Sequence, residues 1–406
     1  MTRPVAGRER VARLAAVQPA SATAPQAVPR ASGTGLRALL LAADVGESHL
    51  TMARIIARDL ESREDVAAAT VIEDFSSLGP RLARVVGGGF RLHVGRVQWS
   101  YELAYRVFTG LGAAQRLGEM ALHRLGGPAL SQTVRRHRPD VVISTHPVLN
   151  AVLARLRAAG ELTVPAAGVV GPLGGLDFWV QPRLDLHLFL YAEALEDARA
   201  DLHGAPAAVV RPLVREEFFA PCSREDARAA LGIDPEGPVV LISGGGWGAG
   251  DLAGSIDACL AVPGVRVIAV VGRNAELERE LAARHGDGGR VQVVGFTDRM
   301  RDLLWAADAF ITATAGLSCL EARLCGCPLI CYGFVIGHVR DNVRALARHG
   351  YARTARTAGE LPDAVTAALA AGRGSPPVGG ALPRAADLVA ELAHAYPRAP
   401  ATPAGR

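Results

Sequence analysis

Lysine is absent from the chain: all 44 basic side chains other than histidine are arginine. With the abundant alanine, that usage reads as coding bias and points to no function. Charge is sparse as well, 21% of 406 residues against 50% apolar, which excludes disorder over most of the length. A formal net charge of +4 is too small to call for a nucleic-acid partner. Six cysteines make no disulfide framework in a chain of this length, so a reducing, cytosolic setting is expected. Four of them, Cys319, Cys325, Cys327 and Cys331, crowd into a stretch that reads as helix, turn and apolar strand. Buried small hydrophobes account for them better than metal ligands do. No uncharged apolar run reaches about 18 residues, so no membrane-spanning helix is expected.

What is present is an alternation of short apolar runs with longer amphipathic ones. Residues 1–35, rich in Ala, Pro, Ser and Arg, read as a disordered tail, with a transit peptide as the lesser reading. Strands are expected at 37–43, 67–73, 140–144, 164–170, 184–191 and 207–211. Helices are expected at 49–61 and over much of 99–136. A polar, Pro-containing segment, 214–224, reads as a linker. The cycle then restarts, with strands at 238–243, 265–271, 291–294, 309–312 and 328–332. Helices follow at 252–261, 275–285, 299–306, 318–325, 339–349, 358–371 and 381–394. Strands interleaved with helices imply parallel sheets covered on both faces. The expected fold class is therefore α/β, two Rossmann-like doubly wound domains facing a cleft. The boundaries are 36–213 for the first domain, 214–224 for the linker and 225–375 for the second. A C-terminal helix (376–396) and a tail (397–406) follow.

Two strand-to-helix junctions carry chemistry. The first runs Gly244-Gly245-Gly246-Trp247-Gly248-Ala249-Gly250. Glycines let consecutive amides approach phosphate oxygens that a β-carbon would hold off, and the following helix is expected to add partial positive charge. The trailing Gly-Lys-Ser/Thr of a Walker loop is missing, and the dinucleotide fingerprint is not matched. The second is Thr312-Ala313-Thr314-Ala315-Gly316-Leu317-Ser318, with Glu321 three residues on. Ser318 and Glu321 have capping-box spacing. Alternatively Ser318 bonds a phosphate oxygen and Glu321 accepts both hydroxyls of a ribose.

The run Gly295-Phe296-Thr297-Asp298-Arg299-Met300, then Ala307-Asp308, Ala315-Gly316-Leu317-Ser318, Glu321-Ala322 and Gly326-Cys327-Pro328 resembles the donor half of a glycosyltransferase family. That family contains the lipid II synthase MurG and the monogalactosyldiacylglycerol synthases. The likeness extends over most of residues 37–372. In the amino-terminal half, Asp44 to His49, His146-Pro147, Phe178-Trp179-Val180 and Gly95 to Phe108 look like the processive diacylglycerol glycosyltransferases. The resemblance implies a GT-B fold and an inverting hexosyltransferase that uses a UDP-sugar, with neither metal nor cofactor. The lack of an Asp-x-Asp motif fits metal independence. The backbone at Thr297 would bond uracil beside Phe296, and Glu321 would hold the ribose. Ser318, Gly316 and the amides of Gly244, Gly245, Gly246 and Gly248 would hold the diphosphate. His338 and Asn342 would fall on the donor-sugar side.

His49, after the first strand and a Gly-containing turn, is the candidate base, able to take the acceptor hydroxyl's proton. A helix cap is the plainer reading. His146 before Pro147 reads as structural, yet with Trp179 it falls on the acceptor side. Residues 79–113 hold Arg81, Arg84, Arg91, Arg96 and Arg106 against one acid, Glu102, interleaved with Trp99, Tyr101, Tyr105 and Phe108. Arginine with aromatics suits an anionic lipid surface, so a lipid-like acceptor and a peripheral position at the inner face of a membrane are expected. A solvated basic face over core aromatics is the alternative, and no nucleic-acid motif accompanies it.

The sequence departs from the family's pattern in several places. Glu47 and Ser48 replace two glycines of the first turn, which narrows the room beside the acceptor. Gly171-Pro172 stands where a Thr-Asp pair is expected, and a histidine shortly before Trp179 is missing. Ala313 to Leu317 replaces a Lys-Ala-Gly-Pro-Gly pattern, and His338-Val339 replaces a Gln-Glu pair that would bond sugar hydroxyls. A sugar-nucleotide 2-epimerase and a nucleotide-sugar-binding protein without turnover are the alternatives. The epimerase would need further carboxylates near His49, and none is found.

Overall fold

A computed structural model describes residues 35–44, 46–84, 112–285, 289–333, 337–376 and 382–396. The first six strands are β1 (Leu36–Leu41), β2 (Val66–Ile72), β3 (Val141–Ser144), β4 (Ala166–Val170), β5 (Leu186–Phe189) and β6 (Ala207–Val209). They form one parallel sheet in the order β2-β1-β3-β4-β5-β6. Its helices are α1 (Glu47–Glu61), α2 (Pro80–Ala83), α3 (Gly112–His137), α4 (Pro147–Ala158) and α5 (Ala192–Asp197). A second parallel sheet holds β7 (Val239–Ser243), β8 (Arg266–Val270), β9 (Val291–Val294), β10 (Ala309–Thr312), β11 (Leu329–Cys331) and β12 (Arg353–Thr354). Its order is β12-β11-β10-β7-β8-β9. Around it lie α6 (Arg224–Leu231), α7 (Leu252–Leu260), α8 (Ala275–His285), α9 (Met300–Ala306), α10 (Leu317–Leu324), α11 (Gly337–Arg348) and α12 (Leu361–Ala371).

The strands read as apolar runs because both their faces are covered: β3, β4, β7 and β10 are buried at every position. Leu39, Leu40 and Leu41 of β1 lose all solvent exposure, and each such side chain is stabilised by about 1.5–3 kcal/mol relative to exposure. On α1, Met52, Ile56 and Leu60 recur every fourth residue and with Ala53 and Ile55 form the buried stripe. In each sheet the order in which strands are added reverses between two neighbours, β1 and β3 in the first, β7 and β10 in the second. Loops at the carboxyl ends of such neighbours diverge and leave a crevice for ligand. His49 follows β1 and Thr145 follows β3; Gly244 follows β7 and Ala313 follows β10.

Three of the differences from the sequence reading matter here. Helix α4 lies where no element was expected, because Leu149 to Ala154 are buried without a break and leave little amphipathic contrast. The segment 214–224 is not featureless: Glu216–Phe219 is a short 3-10 helix with Phe218 buried. The last helix, α13 (Ala385–Ala395), returns to the amino-terminal half. There Arg63 pairs with Asp387, His394 Nε2 meets Asp65 Oδ2 at 2.7 Å, and Ala386, Val389, Ala390 and Ala393 join the core. The amino-terminal half is thus completed by the far end of the chain. Among the described residues no helix is long and apolar enough to cross a membrane. Cys319, Cys325, Cys327 and Cys331 are buried, and no described group of three or more His, Cys, Asp or Glu residues is placed to hold a metal ion.

Candidate active site

His49 lies in the first turn of α1. The N-cap is Gly46, at φ 84°, so His49 does not cap the helix. Its Nδ1 lies 2.5 Å from the Thr145 carbonyl oxygen, while Thr145 Oγ1 donates to the His49 carbonyl at 2.9 Å. A carbonyl only accepts, so Nδ1 carries the proton and Nε2 keeps its lone pair. Trp179 stacks on the imidazole at 5.6 Å between centroids and 21° between planes. His146 meets it edge-on at 4.6 Å. Desolvation pushes the His49 pKa down to about 4, opposed by the Thr145 bond and aided by His338. The ring is therefore neutral at pH 7, the form a base requires. His146 is the N-cap of α4, its Nδ1 accepting from the Val148 amide at 3.2 Å. Its proton sits on Nε2, and burial, then His49 and His338, hold it neutral.

Across the crevice, the glycine turn divides into two parts. A β-carbon on Gly244 would come within 2.6 Å of Ala249 and Gly248 backbone, one on Gly248 within 2.7 Å of the Val271 carbonyl, and one on Gly250 within 2.3 Å of Ala313. Those three glycines serve the turn's own packing. Gly245 and Gly246 instead face the cleft, towards Thr314 and Glu47. The helix that follows does not present its amino end to the turn as expected: Asp251 caps it, accepting from the Gly254 amide at 2.8 Å. A carboxylate already satisfies that positive end.

At the second junction Gly316, not Ser318, is the N-cap of α10, and no side chain caps it. The capping-box reading of Ser318 and Glu321 therefore fails, because Ser318 lies inside the helix. The Leu317 amide instead donates to Ser48 Oγ of the other half at 3.2 Å. Just before it, Ala315 holds φ 45°, a conformation that favours glycine, and the family pattern has glycine there. Glu321 has its pKa pushed up to about 7 by desolvation, with Arg215 opposing and Glu217 assisting; no hydrogen bond enters that balance. Phe296 is 53% exposed, with the Arg273 guanidinium 3.8 Å above its ring. Thr297 Oγ1 accepts from the Arg299 amide at 3.0 Å.

Asn342 does other work than the resemblance implies. Its Oδ1 accepts from the Leu173 and Gly174 amides at 2.8 and 3.1 Å, and its Nδ2 donates to the Ala315 carbonyl at 2.7 Å. Its Oδ1 thus holds the amino-terminal half while its Nδ2 is anchored on the turn of its own half, so the side chain ties the two together. His338, on the first turn of α11, is close enough to lower the pKa of both His49 and His146, and burial lowers its own to about 4. The structure thus gathers His49, His146, Trp179 and His338 at one end of the cleft. Gly245, Gly246, Gly316, Phe296 and Thr297 stand on the junction turns of the carboxyl-terminal half, with Ser318 and Glu321 inside the first turns of α10. Arg96, Trp99, Tyr101 and Tyr105 lie outside the described residues.

Comparison with known proteins bears on this geometry. Residues 49–210, starting at His49, match the family described as monogalactosyldiacylglycerol (MGDG) synthase. The chain is 22% identical to a processive diacylglycerol beta-glucosyltransferase of Bacillus subtilis (strain 168), over 83% of this chain and 88% of that one. It is 26% identical to monogalactosyldiacylglycerol synthase 1, chloroplastic, of Arabidopsis thaliana, over 58% of this chain and 46% of the other. By these matches the chain is similar to glycosyltransferases named for diacylglycerol, the family model matching within its amino-terminal half. The fold is also that of the O. sativa protein Os79 crystallised with UDP, at TM-score 0.56 and 14% identity, over 89% of this chain and 100% of that one.

Within this site, sequence reasoning missed two residues. Thr145 sets the His49 tautomer, and its position after β3, beside β1, is the signal that was available. Arg273 follows β8 in Gly272-Arg273-Asn274, with its amide bonded to the Gly246 carbonyl at 2.9 Å. That third junction reads as an ordinary turn until the fold sets it behind the glycines.

Proposed function

We propose that this enzyme transfers a hexose from a UDP-sugar to a diacylglycerol-type hydroxyl at an anionic membrane surface, with inversion at the anomeric carbon. The observation that carries this reading is the neutral His49, with a free lone pair fixed by Thr145, facing glycine junctions at the opposite switch point. His49 Nε2 takes the acceptor proton as the acceptor oxygen attacks the anomeric carbon. The bond from that carbon to the diphosphate breaks, and the backbone at Gly245, Gly246 and the start of α10 receives the developing charge. Glu321 accepts from the ribose hydroxyls, and Phe296 and Thr297 flank the base. The diphosphate also strengthens the base: a negative charge brought near His49 raises its proton affinity from the low value of the empty site.

The membrane part of the proposal is supported by an apolar stripe on α3. Leu117 and Leu125, 63% and 66% exposed, lie two turns apart with Met120 and Arg124 beside them. The arginine- and aromatic-rich residues precede this helix in sequence. Apolar side chains among arginines suit the boundary between headgroup and acyl chain.

A thermal-shift panel of UDP-, GDP- and dTDP-sugars tests the donor assignment. Ligand at about 100 times Kd adds about 2.7 kcal/mol of stability, so the UDP compounds should raise Tm by several degrees while the others leave it unchanged. A shift with none of them, or an equal shift with all three, would remove the UDP-sugar reading.

A further inference from the structure

Two places on the nucleotide half attract anions, the Gly245–Gly246 backbone beside Arg273 and the first amide of α10. Neighbouring residues of the acceptor half fill both. Glu47 pairs with the Arg273 guanidinium across the cleft. Its Cγ stands 2.7 Å from the position a β-carbon on Gly246 would take, so the space that glycine opens is occupied by this side chain. Ser48 Oγ holds the Leu317 amide at 3.2 Å and lies 3.1 Å from the corresponding position on Gly316. An acid and a hydroxyl, adjacent in sequence, thus reach a guanidinium and an amide on two separate junctions.

We propose that Glu47 and Ser48 stand in for the donor's diphosphate, and that Arg273 passes from the Glu47 carboxylate to the diphosphate when the donor enters. This rests on the donor-site reading above. A carboxylate and a diphosphate cannot share one guanidinium at close range without repulsion, so binding requires Glu47 to leave. Arg273 does not need to move far. Its amide is tied to Gly246 and its guanidinium is laid over Phe296. Its side chain is 52% exposed and that of Glu47 37%, so the exchange strands no buried charge. Release of Glu47 and Ser48 also frees α1, which carries His49, from its contacts with the nucleotide half. Entry of the donor is thereby coupled to the setting of the base.

Calorimetric titration of the full chain with UDP and with uridine separates the possibilities. Glu47→Gln should bind UDP about tenfold more tightly than the wild type while uridine affinity stays unchanged, because only the diphosphate competes with the carboxylate. Arg273→Gln should weaken UDP by about tenfold and reduce the preference for UDP over uridine. Measurable UDP binding that Glu47→Gln leaves unchanged or weaker would overturn the stand-in and spare the donor site. Equal tightening of UDP and uridine would overturn it too, since the carboxylate would then act on cleft shape alone. Failure of the wild type to bind UDP would overturn the donor-site reading and this inference with it.

Discussion

Alanine at His49 is expected to lower kcat by about 10²- to 10⁴-fold while UDP affinity stays within about twofold of the wild type. The size follows from the role: without Nε2 the acceptor hydroxyl must lose its proton to water during attack. The donor contacts lie on the other half and are untouched. The pH profile supplies a second readout. A base must be unprotonated, and the His49 pKa is pushed down to about 4. At saturating donor, activity should therefore be level through neutrality and fall on the acid side. The acid limb of kcat, which reports the donor complex, should lie above pH 4 because the bound diphosphate favours the imidazolium, whereas kcat/KM, which reports the free enzyme, should also carry the ionisation of Glu321 near 7. Loss of the kcat limb in His49→Ala, with weak residual turnover, would complete the assignment. A variant that keeps more than about a tenth of wild-type kcat would assign the proton transfer elsewhere.

Glu321→Ala is expected to weaken UDP and uridine alike, by about tenfold to a hundredfold. A hydrogen bond to a charged acceptor is worth about 1.5–3 kcal/mol, so the range corresponds to the net loss of one such bond. The equal effect on the two ligands distinguishes Glu321 from Glu47, whose replacement should move UDP alone. Glu321 also carries a stability signature. Its pKa rises from 4.5 to about 7 on folding, mainly by desolvation. The folded state then holds more protons than the unfolded between those values, so stability falls as pH rises through that window and the cost is complete above it. At pH 8 the alanine variant should melt no lower than the wild type. Weaker binding together with a lower Tm at that pH would mean that Glu321 supports the fold and does not hold a ligand.

The sequence carried the architecture because parallel strands leave apolar runs, continuous where both faces are covered as in β3, β4, β7 and β10, and eleven of the twelve strands are legible as apolar runs. β12 escapes at two residues, both exposed. Helix α4 escapes for the opposite reason, since a helix buried over most of its surface has little polar face to mark its period. Which half takes α13 is also unwritten in one dimension. Its apolar stripe fits any groove, and the pairings of Asp387 with Arg63 and of His394 with Asp65 exist only once the chain has returned.

The site was legible as two junctions and a histidine, and less so in its connections. Five glycines in seven residues suggest one phosphate cradle, yet three of them answer to backbone crowding that only coordinates show. The spacing of Ser318 and Glu321 suits a capping box, but the helix starts two residues too early for Ser318 to cap it. Asn342 reads as a pocket residue from its place in the family pattern. In the fold its amide is spent on Leu173, Gly174 and Ala315. Glu47 and Ser48 read as departures that fill space. What they fill is set by partners more than two hundred positions away, and no local pattern encodes that.

Product analysis tests the central claim most directly. The protein is incubated with UDP-glucose or UDP-galactose and vesicles containing diacylglycerol and an anionic lipid, and the lipid extract is read by mass spectrometry. The account predicts a hexosyl-diacylglycerol formed by the wild type with UDP released in equal amount, and almost none formed by His49→Ala. UDP binding without any glycosylated lipid from the wild type would contradict it, and would leave a nucleotide-sugar-binding protein that has kept the fold and lost the reaction.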